Sequence, residues 1–90
     1  MPRKRKRLNR QIIACDLAEA IEQLEQLRSN ACNGSLSEVE LALGLQHAYH
    51  HLNFAWNIRY VPTAQYRNLT DRQFNSWGRY PSEIEQFLDP

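Results

Sequence analysis

What the chain lacks narrows it first. No uninterrupted apolar run exceeds four residues, at positions 12–15, against the roughly 18 that a bilayer-spanning helix requires. No membrane span is expected. Cysteine is confined to Cys15 and Cys32, which form no C-x-x-C pair. That excludes a disulfide framework and leaves two reduced thiols as the expectation. The three glycines, Gly34, Gly44 and Gly78, stand apart from one another, whereas a phosphate-cradling loop needs them clustered. The basic start is not followed by an apolar segment and a small-residue cleavage site, so a cytoplasmic rather than secreted protein is expected. With few glycines and prolines, and with aromatics throughout the second half, disorder is expected only in the first residues.

Charge is present but divided. The formal net charge of the 90 residues is +1, yet six of the eleven bases fall in the first ten positions, and the rest of the chain carries five bases against ten acids. A run of five like charges, Arg3, Lys4, Arg5, Lys6 and Arg7, repels itself and reads as a flexible arm over residues 1–8. It also sits ahead of a helix N-terminus, which favours negative charge, so helix stability does not explain it. A solubilising terminus that contacts nothing is the first reading, and a contact with nucleic acid, an acidic protein surface or an anionic membrane the second, because such a run neutralises phosphates without reading sequence. No zinc finger, RNP-like aromatic pattern or zipper accompanies it.

Residues 9–90 read as a single all-α domain. In residues 9–28, Ile13, Leu17, Ala20, Leu24 and Leu27 recur at steps of four and three, with Ile21 widening the stripe. Asp16, Glu19, Glu22 and Glu25 are placed on the solvated outer side. A turn over residues 29–36, with Asn33-Gly34 in it, is short enough to return the chain antiparallel. The second helix opens on a capping box, Ser37 with Glu40, and is expected to run to residue 59 or 60, ahead of Pro62. Its Leu41, Leu45, Ala48, Tyr49, Leu52, Ala55 and Trp56 share a face, assigned to the first helix. Leu43, Phe54 and Ile58 lie opposite, so this helix must be covered on two sides. Part of that cover is expected from two short helices: one capped by Thr70 or Asp71 and ended by Gly78, the other opened by a capping box at Ser82 and Glu85. Phe74, Trp77, Tyr80, Ile84 and Phe87 are their packing anchors.

The predicted architecture is therefore an antiparallel hairpin of two long helices with one or two short C-terminal helices, dimerising into a bundle. A chain this short buries only about 60–68% of its unfolded surface, and long helices with two apolar sides call for a partner, most economically a second copy.

Chemistry is sparse. His47 and His51 stand one turn apart, and Glu40 lies seven residues before His47 on nearly the same line, which makes Glu40, His47 and His51 a candidate metal set. There is no H-E-x-x-H and no Glu-x-x-His, so the familiar zinc-protease and di-iron patterns are excluded. Packing and hydrogen bonding at an interface is the reading placed first for His47, His50 and His51, together with Phe54, Asn57 and Arg59 as interface or ligand candidates. Arg59 falls on the azimuth of Leu41 and Leu52, where snorkelling past the end of the first helix, or pairing with Glu83, Glu85 or a carboxylate of the first helix, is preferred over an anion clamp beside Tyr60, Tyr66 and Trp77. Gly44, inside the second helix, is read as a point of close helix approach. Neither cysteine has a nucleophile context, no catalytic residue is assigned and no cofactor is called for. The expected function is a small, non-catalytic interaction or regulatory module acting as a homodimer or with a protein partner. Its alternatives are a nucleic-acid contact through the basic arm and a metal-binding helical protein.

Overall fold

The computed structural model of the chain describes residues 7–88. Among them lie five helices and no strand: α1 Arg10–Cys32, α2 Glu38–Asn57, α3 Thr63–Arg67, α4 Asp71–Trp77 and α5 Glu83–Leu88. None is long and apolar enough to cross a membrane. Of the basic run, Arg3, Lys4, Arg5 and Lys6 lie outside the described residues, and Arg7 is exposed.

The two long helices form an antiparallel hairpin. The Asn9 side chain caps α1 by accepting from the Ile12 N–H. Its own N–H donates to the Arg59 carbonyl at 2.7 Å, and its side-chain amide donates to the Val61 carbonyl at 2.7 Å. One residue therefore starts α1 and ties that start to the chain leaving α2. At the other end α1 runs four residues beyond the expected stop at Arg28. Its hydrogen-bond ladder continues until Gly34, whose φ of 78° lies in the left-handed region that a glycine enters without a Cβ penalty. Arg28 pairs with Glu25 at 2.7 Å with both side chains largely in solvent, an arrangement worth little.

Helix α2 begins where expected. The Ser37 hydroxyl accepts from the Glu40 N–H at 3.1 Å, the serine half of the predicted capping box, a cap worth about 1 kcal/mol. It ends at Asn57 rather than at residue 59 or 60, because the buried Ile58 closes it and Arg59 turns away to meet Asn9.

The seam between the helices corrects the predicted faces. The residues buried along it are Ile12, Asp16, Ala20 and Leu27 of α1 with Gly44 and Ala48 of α2. A Cβ at Gly44 would come within 2.5 Å of Leu27 Cδ2, so the missing side chain is what lets the helices approach there. Small residues at the contact line displace the large ones to its flank. Leu41, Leu45, Tyr49 and Leu52, expected to face α1, are instead exposed, as are Leu17, Ile21 and Leu24.

Cover for the opposite flank comes from the chain itself. Phe54 and Ile58 form the buried core with Ile12, and Ile13, Val61, Tyr66, Leu69 and Trp77 pack against them. The short α3, absent from the sequence-based expectation, supplies Tyr66. Thr70 and Gln73 make a complete capping box at the start of α4, which ends at Gly78 as expected. Asn53 donates to the Gly78 carbonyl at 2.8 Å and Asn57 to the Trp77 carbonyl at 2.7 Å, so two α2 amides satisfy carbonyls at the end of α4. Helix α5 forms where expected, yet of the predicted anchors Tyr80 and Phe87 stay largely exposed. Phe87 meets only the edge of Trp56, at 5.5 Å between ring centroids.

Gly78 itself is a point of close approach. A Cβ there would collide with Cε1 and Nδ1 of His50, whose ring is held against Phe54 and Phe74 at 4.5 Å each and cannot swing aside. Gly78→Ala is expected to lower stability by about 1–3 kcal/mol, read as a lower urea midpoint at unchanged m-value. An unchanged midpoint would show that α4 does not seat on His50.

Candidate functional site

Asp16 is the one acid of α1 taken out of water. It is only 1% exposed, whereas its pattern neighbours Glu19, Glu22 and Glu25 face solvent. The assignment of Asp16 to the solvated side is thus overturned: it lies four residues after Ile12 and four before Ala20, on the buried line. Its Oδ1 accepts from His51 Nδ1 at 2.9 Å and from the Tyr66 hydroxyl at 3.2 Å. Three elements, α1, α2 and α3, meet at this one oxygen.

The network continues outward. A carboxylate only accepts, so a neutral His51 bonded to it carries its proton on Nδ1 and presents a lone pair at Nε2. That nitrogen lies 3.1 Å from His47 Nε2, one turn earlier on α2 and open to solvent. The line thus runs from a buried anion, through a histidine whose side chain is 20% exposed, to one at the surface. Tyr66 belongs to it as a phenol: burial first, then the Asp16 charge and hydrogen bond, push its pKa up to about 12. Asp16 Oδ2 is buried without a hydrogen-bond partner.

His50 sits beside this line but plays a different part. It lies among Phe54, Phe74 and Gly78, with Nε2 buried and unpaired. Burial foremost, then the neighbouring His51, hold its pKa below the usual imidazole range, while the Asp16 charge works the other way.

The other sequence candidates are engaged within the chain. Phe54 is buried in the core, and Asn57 is used up on the Trp77 and Arg79 carbonyls. Arg59 lies 3.9 Å above the Trp56 ring and 4.9 Å from that of Tyr60, donates to the Trp56 carbonyl, and stands 3.8 Å from Glu83. This is the expected carboxylate pairing. Glu40 borders a trough of mixed lining, with Gln23, Gln26, Asn30 and His47 alongside Leu27 and Leu43. Among the described residues, however, no three His, Cys, Asp or Glu side chains are grouped closely enough to hold a metal ion. Glu40 is therefore not a ready-made third ligand for the two histidines.

On the flank opposite the histidines, both long helices present apolar side chains. Leu17, Ile21 and Leu24 of α1 and Leu41, Leu45, Tyr49 and Leu52 of α2 are 38–60% exposed. Leu24, Leu45, Ala48, Tyr49 and Leu52 line a shallow trough there.

Fold and site together define an all-α hairpin protein with a buried carboxylate–histidine line on one flank and an open apolar face on the other. No family model matches the chain, and neither a curated protein nor a solved structure matches it.

The His50 environment predicts a pH dependence. Its folded-state pKa lies below the unfolded value of about 6.5, so the unfolded chain binds more protons at this residue and stability rises with pH. The contribution is full above about pH 6.5 and is lost as the pH falls through the folded-state value. His51, Asp16 and His47 are the titratable neighbours acting on it. The urea midpoint should drop between about pH 7.5 and 5.5, on either side of that unfolded value, and by less in His50→Gln. Equal drops in the two proteins would refute the assignment.

Proposed function

We propose that this chain is a non-catalytic interaction module that acts as a homodimer, two hairpins closing their leucine faces on one another into a four-helix bundle. The exposed apolar face carries this reading. Seven large apolar residues, six of them aliphatic, stand at 38–60% exposure on one face. A contiguous apolar patch of roughly 300–600 Å² is the largest that a typical monomer shows, and it is often functional.

A second copy is the occupant that suits the face. Between Leu17 and Leu24 of α1, and between Leu41 and Leu52 of α2, helical spacing puts no charged residue on it, so it offers no charge pattern for selecting an unlike partner. Its two-helix width is that of half a four-helix bundle. A two-fold axis places the same patch on both sides of one interface. α3 and α4 pack on the opposite flank and leave the face clear.

Sedimentation equilibrium of the full chain should give twice the 10.6 kDa chain mass at micromolar concentration. Ile21→Glu with Leu45→Glu should raise the dimer dissociation constant at least about 100-fold, equivalent to about 2.7 kcal/mol, with helical circular dichroism retained. A wild-type protein that stays monomeric even at about 100-fold higher concentration, where mass action favours the dimer, would reject the proposal.

The basic start supports a second reading, contact with nucleic acid, since five consecutive bases suit phosphate neutralisation. Deleting residues 1–7 should weaken binding to a DNA duplex and flatten its salt dependence, by a slope of roughly 0.9 for each phosphate that the arm neutralised. An unchanged, weak affinity would dismiss the arm as a nucleic-acid contact.

A further inference from the structure

The histidine flank carries an inference separate from self-association, because it lies across the hairpin from the leucine face. We infer that His47 and His51 form a two-nitrogen chelate for a first-row divalent transition metal ion, zinc or nickel, with Asp16 as the residue that positions one ligand. The two Nε2 atoms are 3.1 Å apart. Two imidazole nitrogens bound at about 2.0–2.1 Å to one tetrahedral zinc stand about 3.3 Å apart. The pair is therefore already close to the span that a shared ion requires, and a few tenths of an ångström of side-chain movement completes it.

Tautomers decide whether those nitrogens are usable. Metal binding needs a lone pair on each Nε2. A neutral His51 has one when its proton lies on Nδ1 toward Asp16 Oδ1 at 2.9 Å, the tautomer that an ionised carboxylate favours. A carboxylate behind the remote nitrogen is how metal-binding histidines are commonly oriented and made more basic. Here it is buried and held in turn by the Tyr66 hydroxyl. His47 donates its Nε2 proton to His51 when no ion is bound. It frees that nitrogen by carrying the proton on Nδ1 instead, a tautomer change open to an exposed ring.

The ion would arrive from the solvent side, where His47 is exposed. Two protein nitrogens leave coordination positions for solvent, so this is an open site and not a closed structural one. Helical i, i+4 spacing places both ligands on a rigid scaffold, which keeps the ordering cost of binding low. His50 is not a ligand, since its ring is packed against Phe54 and Phe74.

The test uses the full chain with Cys15→Ser and Cys32→Ser, because both thiols are exposed and would bind the same ions. Calorimetric titration with ZnCl₂ and with NiCl₂ should give one ion per chain. His47→Ala, at an exposed position, should weaken binding at least tenfold without loss of helicity. Asp16→Asn should weaken it by about 10–100-fold, and Glu40→Gln should leave it unchanged. Zinc should move the ring ¹H–¹³C signals of His47 and His51 more than those of His50, whose ring lies 6.3 Å from that of His51, and a folded Asp16→Asn chain should keep both shifts at higher zinc concentration, which loss of the fold would abolish. No binding in the thiol-free chain, or equal affinity in His47→Ala, would overturn the site. If Asp16→Asn does not fold, the His47→Ala titration and the ring signals still decide.

Discussion

A carboxylate removed from water has to be compensated where it lies, and at Asp16 that requirement links most of the molecule. An ionised group left alone in the interior would cost several kcal/mol. Here its Oδ1 is met by His51 from α2 and Tyr66 from α3. Those two bonds hold the hairpin in a defined register and bring α3 across its flank. The same side chain bonds His51, adds to burial in raising the Tyr66 pKa, and acts on His50. Much of what is chemically distinctive about the protein is thus a consequence of one acidic side chain on the buried line of α1.

The second constraint is steric. With Ala20, Gly44 and Ala48 along the seam, α1 and α2 approach closely, and Leu27 is accommodated there because Gly44 faces it without a side chain. The large apolar residues are turned to one flank, and the opposite flank is closed by Phe54, Ile58 and the short helices. The hairpin therefore has two unlike sides. One is apolar and open, and its cover by a second copy would complete a core that a single hairpin lacks. The other is built around the carboxylate–histidine line, and its outermost member reaches solvent.

The C-terminal third works as a clip rather than as a second layer. Asn53 and Asn57 bind the carbonyls that end α4, Gly78 receives the His50 ring, and Asn9 holds the departing chain against the start of α1. These interactions are mainly polar groups satisfying backbone. Of the aromatic residues expected to anchor this region, Trp77 packs against the core and Phe74 against His50, while Tyr80 and Phe87 stay more exposed.

Periodicity and capping chemistry were enough to establish an all-α chain, an antiparallel hairpin, the Ser37 and Thr70 helix starts and the stop at Gly78, because each depends on neighbours within a turn or two. They also singled out His47 and His51, which one helix brings together by its own spacing. They misplaced the buried line of α1 by about 60°, at roughly 100° per residue, and with it Asp16. An apolar stripe locates a helix face only to within its own width, and the choice between neighbouring lines depends on how closely the partner helix can approach. That approach is decided by small residues on two helices at once, as is the pairing of Asp16 with Tyr66 fifty residues away. Local sequence determined which segments are helices. Only the tertiary structure decided which side of each would be buried, because burial is settled by the fit of one surface against another.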